Sequence, residues 1–381
     1  MTAPAQTAPA DLRWPELDGL RAIAILLVLV SHHLPPVSIL AIQHLGDAGW
    51  IGVDLFFVLS GFLIGGILLE QRTSTNYYRV FYWRRFFRIV PLYALLLLPA
   101  VLVLGLGLQR WFAGSSLASL PAGGLWFCLF FLQNVGSVLG LSPPNYLGPT
   151  WSVAVEEQFY LLLPPVIRHV RGKTLLLLLL AAIVAAPVLR GTLLQVFGPP
   201  AGLACYVLLP CRWDSLLLGV VAALAFRQAG FHTWFSRHQR WIQIYAGFSA
   251  AVSVALLAGH PNRLHPVLAF GGYTLIDSCF VCVLLLALLN QSGGLKRFLR
   301  LPAFKPIATI SYGLYLLQSP VQAVIDNLCR RFHLAYEPVG WPAVGVSAAS
   351  LVATFLLAMA SWKILERRFI QMGHQHRFQK F

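Results

Sequence analysis

Apolar runs recur along the whole chain, separated by shorter polar segments. Runs of about twenty apolar residues indicate helices that cross a membrane. The pattern predicts an all-α, polytopic membrane helix bundle with about ten transmembrane helices, at residues 19–40, 49–69, 89–108, 150–167, 174–196, 211–228, 241–258, 270–290, 306–328 and 341–362.

One further apolar segment, residues 124–140, is interrupted by Gln133, Asn134 and Gly136. If this segment does not cross the membrane, 21 lysines and arginines lie on the inner side and 6 on the outer side. If it crosses the membrane, 11 lie on the inner side and 16 on the outer side. Because cytoplasmic loops carry the excess of these residues, we interpret 124–140 as re-entrant or interfacial. Both termini are then expected in the cytoplasm.

The composition excludes a soluble domain, since 58% of the residues are hydrophobic and only 11% are charged. Cytoplasmic loops explain the net charge of +15, so no nucleic-acid partner is expected. Residues 1–16 lack the basic start and apolar core of a signal peptide, so no cleavage is expected. We expect a cytoplasmic tail at 1–16, a membrane domain at 17–370 and a second cytoplasmic tail at 371–381.

Several ionisable side chains interrupt the apolar runs, where they are costly and call for a functional explanation. Arg21 and His32 are eleven residues apart, which places them on nearly the same helix face with a rise of roughly 16 Å. The depth of a side chain in the membrane follows from its distance in residues from the start of its predicted span. By this count, four polar side chains on other spans lie at the depth of His32, and the sequence therefore predicts one polar layer: Asp54, Glu156, Glu157 and Gln318.

Six motifs in order resemble the acyltransferase-3 family of integral membrane O-acyltransferases. The resemblance covers about residues 15 to 370. The motifs are Leu17-Asp-Gly-Leu-Arg21 with His32, Gly52 to Ile64, Arg84-Arg-Phe-Phe-Arg88 with Pro91-Leu-Tyr93, Thr150 to Tyr160, Ser311-Tyr-Gly-Leu-Tyr315 and Leu365-Glu366-Arg367.

The resemblance implies transfer of an acyl group, usually acetyl, from cytoplasmic acyl-CoA to a hydroxyl of an exported or cell-surface carbohydrate, or in some members of another hydroxyl-bearing acceptor such as an antibiotic. It implies a place in the bacterial inner membrane, with glycan-export proteins as candidate partners. Arg21 and His32 match the family's Arg–His pair, and Glu156 and Glu157 match its acidic pair. Gln318 departs from the histidine usual there, and the family's optional esterase-like C-terminal domain is expected to be absent.

The chemistry of such a transfer assigns roles to these residues. A sugar hydroxyl needs a base that titrates near neutrality, so His32 is the candidate base, with Glu156 or Glu157 orienting its imidazole. Phosphates of CoA favour guanidinium groups, so the candidate donor-binding residues are Arg21, Arg84, Arg85 and Arg88. We assign supporting or substrate-contacting roles to Asp18, Asp54, Arg212, Asp214 and Gln318.

No metal is expected, because the six cysteines show no zinc-like spacing with histidine pairs. A disulfide between Cys205 and Cys211 stays open. Arg212 and Asp214, at the outer end of the sixth predicted span, could contact the acceptor or pair locally. Two other functions also stay open: a proton-coupled transporter, to which intramembrane Arg, His and Glu are suited, and a non-catalytic component of a glycan-export complex.

Overall fold

The structure is a computed structural model that describes residues 14–34, 46–108, 122–260, 262–290, 293–331 and 341–379. Helices and short connections make up these ranges, and no strand occurs within them. The predicted all-α class is confirmed.

The α-helices are numbered α1 to α16 in chain order. Two short 3₁₀ segments, Asn145–Thr150 and Pro199–Ala201, and two π-helical segments, Leu268–Gly272 and Trp362–Glu366, connect or extend them. The α-helices are α1 Pro15–His33, α2 Ile51–Glu70, α3 Tyr77–Gly105, α4 Ala122–Leu129, α5 Gln133–Val138, α6 Trp151–His169, α7 Gly172–Phe197, α8 Gly202–Val207, α9 Leu209–Phe226, α10 Phe231–Gly259, α11 Tyr273–Leu289, α12 Gly294–Leu299, α13 Phe304–Thr309, α14 Ser311–Arg331, α15 Trp341–Ser361 and α16 Arg367–Gln375.

Seven helical stretches in the described residues are long and apolar enough to cross a membrane, so the chain is a multi-pass membrane protein. Three predicted spans, at 19–40, 150–167 and 306–328, correspond to α1, α6 and α14. These helices are too charged or too polar to belong to this set. The predicted count of ten is therefore not confirmed. The seven stretches are Gly46–Glu70, Tyr77–Gly105, Gly172–Phe197, Leu209–Phe226, Phe231–Gly259, Leu268–Leu289 and Ala343–Gln375.

The interrupted segment at 124–140 is not one continuous helix. It breaks between α4 and α5, where Phe131 adopts a φ of 55°. The buried amide of Gln133 donates to the carbonyl of Thr150 at 2.8 Å, and that of Asn134 donates to the carbonyl of Val207 at 3.1 Å. These contacts hold the broken segment against the bundle, and its re-entrant or interfacial position in the membrane stays a prediction.

Helix α2 lies at the centre of the bundle. Its span is 72% buried, compared with 17% for the peripheral α10. Gly61 packs directly on the backbone of Leu216 in α9, and Gly219 of α9 packs on the carbonyl of Val58. A side chain at either glycine would collide with backbone, so these glycines let α2 and α9 approach closely.

The register between α1 and α2 is set by two further glycines. Gly49 lies against the backbone of Leu27 and Ser31, and Gly52 lies against the carbonyl of Ala24. As the residue number rises in one helix it falls in the other, so the two helices are antiparallel. This register places Asp54, two residues beyond Gly52, close to the level of Ala24.

The C-terminal segment is docked on α3. Arg84 donates two hydrogen bonds to the carbonyl of His376, at 3.0 and 2.8 Å. Asn76 donates to the carbonyl of Arg377 at 2.9 Å and accepts from the backbone N–H of Gln379 at 3.0 Å. Residues 371–379, predicted as part of a tail, are thus held by specific contacts in this structure.

Candidate active site

A polar cavity of about 120 Å³ lies where α1, α2, α3, α6 and α14 meet. One buried water needs roughly 10–15 Å³ of such volume, so the cavity has room for several waters or for a polar group of that size. Apolar side chains of α2 and α3 form part of its wall. Its polar lining consists of Arg21, Arg85, Arg88, Glu156, Ser60, Ser152, Tyr160, Ser311, Tyr312 and Tyr315.

The sequence of each helix explains how these side chains reach the cavity. Pro15 starts α1, and Glu16 and Asp18 occupy its first turn, where acidic groups favour the helix N-terminus. Gly19 packs on the backbone of Leu299 in α12, which fixes the start of α1 and hence the position of Arg21. In α2, Ser60 faces the cavity while the next residue, Gly61, packs on α9.

Positive charge dominates the cavity. Arg21 interacts electrostatically with Arg85 and Arg88, and Asp18 partly offsets the mutual repulsion of these guanidiniums. Among the cavity-lining residues, three guanidinium groups face one carboxylate, that of Glu156. A polar cavity with this excess of guanidinium groups is suited to an anion with several oxygen acceptors, such as a phosphate or pyrophosphate.

Hydroxyl groups connect the charged side chains to the helices around them. Ser60 and Tyr160 share a hydrogen bond, and both interact with Glu156. Tyr315 of α14 donates to the carbonyl of Pro149 at 2.8 Å and shares a hydrogen bond of 2.6 Å with Ser152. Ser152, Glu156 and Tyr160 recur every four residues along one face of α6, so these hydrogen bonds join that face to α2 and α14.

The structure brings together Arg21, Arg85 and Arg88, which were predicted to bind the donor, and places Glu156, predicted to act at His32, in the same cavity. Glu157 lies beside this group and interacts electrostatically with Arg85 and Glu156. One of its carboxylate oxygens, Oε1, is buried and has no hydrogen-bond partner among the described residues.

Arg84 lies apart from the other arginines. Its guanidinium binds the carbonyl of His376 and lies 5.1 Å from the centre of the Phe378 ring. Arg84 is therefore committed to the docked C-terminal segment, and its predicted role in donor binding finds no support in this geometry.

His32 lies at the other end of α1, eleven residues from Arg21, at a rise of roughly 16 Å. Its Nδ1 is 2.9 Å from the carbonyl of Val28. Because a carbonyl only accepts, Nδ1 carries the proton and Nε2 keeps a lone pair. The neighbouring His33 makes the corresponding contact with Leu29 at 3.2 Å.

The structure gives Glu156 and Asp54 partners other than His32. Glu156 lines the cavity with Arg21 and interacts with Arg85 and Arg88, so its predicted role in orienting the His32 imidazole finds no support in this geometry. Asp54 lies near the level of Ala24, roughly 12 Å from His32 along the helix axis. The depth count assumed that all spans start at equal heights, whereas the glycine contacts between α1 and α2 set a different register.

A second group of charges is buried between α2 and α9. Asp54 and Arg212 form an ion pair, and both side chains are 0% exposed. The Arg212 guanidinium also lies 4.3 Å from the centre of the Tyr273 ring. The pair joins two helices, so neither residue is available to an acceptor in this conformation.

Asp214 pairs with Arg190 of α7 at 3.0 Å and not with Arg212. Thr274 of α11 donates to Asp214 at 2.6 Å, and Ser215 donates to the fully buried Asp277 at 2.6 Å. Arg190 and Asp277 were not among the predicted site residues. The signal in the sequence for each of these two residues is a lone charge within an apolar run.

Gln318 is fully buried in α14, and neither polar atom of its amide has a hydrogen-bond partner in the described residues. Cys205 and Cys211 are free, buried thiols. No group of three or more His, Cys, Asp or Glu side chains in the described ranges is arranged to hold a metal ion.

The structure is therefore a multi-pass membrane helix bundle with an arginine-rich cavity between its helices. Residues 14–363 match the family described as an acyltransferase domain, so the chain belongs to the acyltransferase-3 family. The resemblance seen in the motifs is confirmed.

The chain is 27% identical to the peptidoglycan O-acetyltransferase OatA of Listeria monocytogenes, over 96% of its own length and 57% of that protein. It is 26% identical to the O-acetyltransferase OatA of Staphylococcus aureus, over 92% of its own length and 56% of that protein. The chain thus spans little more than half of these relatives. No solved structure is a significant match.

Proposed function

We propose that the protein is a membrane O-acyltransferase that moves an acyl group, acetyl in the first instance, from acyl-CoA to a hydroxyl of a cell-wall or surface carbohydrate. The observation that carries this proposal is the cavity in which Arg21, Arg85 and Arg88 converge. Family membership and the O-acetyltransferase names of the relatives support the reaction type and a glycan acceptor.

The donor's phosphates bind at the cavity. Guanidinium groups recognise phosphate through paired hydrogen bonds, and a partly enclosed site strengthens each of these bonds relative to bulk water. Glu156, with Ser60 and Tyr160, limits the repulsion among the arginines and holds the adjacent wall in place.

The acyl group is transferred at His32. The lone pair on Nε2 takes the proton of the acceptor hydroxyl while its oxygen attacks the thioester carbonyl. The carbon–sulfur bond then breaks, CoA leaves as the thiolate, and the imidazolium returns the proton to it. The products are an ester of the carbohydrate and free CoA, and His32 is restored.

The spacing along α1 suits a long donor. The rise of roughly 16 Å between Arg21 and His32 separates the phosphate-binding end from the reacting end. The extended pantetheine arm of CoA would bridge the two. The donor is proposed to enter from the cytoplasm and the acceptor to arrive from the outer face, in a bacterial inner membrane with both termini cytoplasmic.

The buried charges of Asp54, Arg212, Asp214 and Arg190 favour one alternative, a proton-coupled transporter, because ionisable groups inside a membrane also suit a proton relay. Acetyl transfer to a carbohydrate acceptor separates the two functions, since a transporter does not form an ester.

The test uses purified protein in lipid nanodiscs, radiolabelled acetyl-CoA and soluble peptidoglycan fragments. We expect acceptor-dependent labelling of the fragments that falls by about 10²- to 10⁴-fold in His32→Gln, the usual contribution of general-base catalysis. His33→Gln is the matched control, because His33 makes the corresponding backbone contact and should retain activity. No labelling by the wild type, or equal losses in both variants, would refute the proposal.

A further inference from the structure

Glu366 is the residue of the Leu365-Glu366-Arg367 motif to which the proposed mechanism gives no role. It ends the π-helical segment Trp362–Glu366 and is that segment's buried residue, at 4% exposure. A π-helical turn holds one extra residue, rotates the side chains that follow, and is frequent at functional sites. The positively charged side chains of Lys363 and Arg367 are exposed here, while that of Glu366 points inward.

The inward carboxylate lies against the backbone of α14. Its Oε1 accepts a hydrogen bond from Ser361 at 2.9 Å. A Cβ at Gly313 would lie 2.9 Å from the same oxygen, so glycine at this position leaves the space that the carboxylate occupies. A buried carboxylate with a single hydroxyl donor is unfavourable unless a positive charge lies near.

Arg88 supplies that positive charge. Glu366 interacts electrostatically with Arg88, and both charges act on Tyr312. Tyr312 follows Ser311 on the cavity wall and donates to the carbonyl of Ile89, the residue after Arg88, at 2.9 Å. Glu366 is thus linked to the arginine cluster by charge, and it lies against Gly313, the residue next to Tyr312, whose hydroxyl contacts the backbone beside Arg88.

We infer that Glu366 is a positioning residue that holds the Arg88 guanidinium and the Tyr312 wall in the arrangement that binds the donor's phosphates. It acts from outside the cavity, through Arg88. This inference rests on the proposed function, since it assumes that the anion bound at Arg88 belongs to CoA.

The first measurement is equilibrium binding of radiolabelled CoA to the full chain in nanodiscs. Glu366→Gln keeps the side-chain size and an oxygen that accepts from Ser361, but removes the negative charge. We expect Kd for CoA to rise about five- to tenfold, as for loss of one partly buried charge interaction. In an Arg88→Gln background the same substitution should change Kd by less than about twofold, because the coupled pair is already broken.

Matched variants separate positioning from simple packing. Ser361→Ala removes the hydroxyl partner but leaves the charge, so Kd should stay within about twofold of the wild type. Gly313→Ala places a methyl group against the carboxylate and should raise Kd as Glu366→Gln does. Gly345→Ala in α15, where an added Cβ meets nothing within 4 Å, should have no effect.

Equal weakening by Ser361→Ala and Glu366→Gln, or full additivity with Arg88→Gln, overturns the inference, since either result indicates packing alone. If Glu366→Gln does not give monodisperse protein, the comparison of Gly313→Ala with Gly345→Ala decides the question. Wild-type protein that binds CoA without transferring acetyl refutes the proposed function, and the binding data still test the positioning role. Wild-type protein that does not bind CoA refutes both.

Discussion

Replacing Arg88 by glutamine removes one of the three guanidinium groups from the cavity while keeping a neutral, polar side chain. A hydrogen bond to a charged group contributes about 1.5–3 kcal/mol. At 1.4 kcal/mol for each tenfold change, the expected rise in KM for acetyl-CoA is about 10- to 150-fold. Because Arg88 lines the cavity with Arg21, and His32 lies roughly 16 Å from Arg21 along α1, kcat should change far less than KM.

Arg84 provides the matched control for Arg88. The two arginines are one turn apart on α3, but Arg84 binds the carbonyl of His376 in the docked C-terminal segment. Arg84→Gln should therefore leave KM for acetyl-CoA within about twofold of the wild type and lower thermal stability instead.

The assay is initial-rate transfer of labelled acetyl to peptidoglycan fragments over a range of acetyl-CoA concentrations, with each variant in nanodiscs. A rise in KM for Arg84→Gln equal to that for Arg88→Gln would refute the division of the arginines made by the structure. A fall in kcat alone for Arg88→Gln would refute phosphate binding at this residue.

Three further tests probe the packing of the bundle by thermal unfolding. Arg212→Met should cost about 3–5 kcal/mol by leaving Asp54 buried without its partner, whereas adding Asp54→Leu should restore most of that stability; a double variant as unstable as the single one contradicts this. Gln318→Leu should raise the thermal stability, because it removes two buried polar atoms that have no hydrogen-bond partner among the described residues. A lower stability contradicts this expectation. The same substitution should lower acetyl transfer if the amide contacts the substrate. Gly61→Leu should prevent folding because it meets the backbone of α9, while Gly247→Ala, in open space, should be tolerated; a well-folded Gly61→Leu contradicts the close packing.

Hydropathy and motif order predicted the helical class, the interrupted segment at 124–140 and the family. These features depend on local composition and on residue order, which a single sequence displays directly. The close approach of α2 to α9 was also predictable in kind, because Gly61 and Gly65 leave room for a neighbouring backbone. Which helix fills that room depends on tertiary packing.

Distances between helices could not be predicted in the same way. The count that placed Asp54 beside His32 assumed equal starting heights, and contacts of Gly49 and Gly52 with α1 shift the level of Asp54 by roughly 12 Å. The partners of buried charges were equally hidden. Arg190 and Asp277 each lie alone in an apolar run, and only the folded bundle brings them near Asp214.

Arg84, Arg85 and Arg88 show the same limit within one motif. All three are basic, close in sequence and on one helix, so composition gives no reason to separate them. Arg85 and Arg88 line the cavity, whereas Arg84, only one turn from Arg88 on α3, binds the C-terminal segment. That division depends on where the C-terminal segment docks, which is a long-range contact.

The central claim is that the donor lies along α1, with its phosphates at the arginine cluster and its sulfur near His32. Electron cryo-microscopy of the protein with bound CoA tests this claim most directly. The account predicts phosphate density between Arg21, Arg85 and Arg88 and the sulfur within reach of Nε2 of His32. Phosphate density outside this cavity, or a sulfur directed away from His32, would contradict the account.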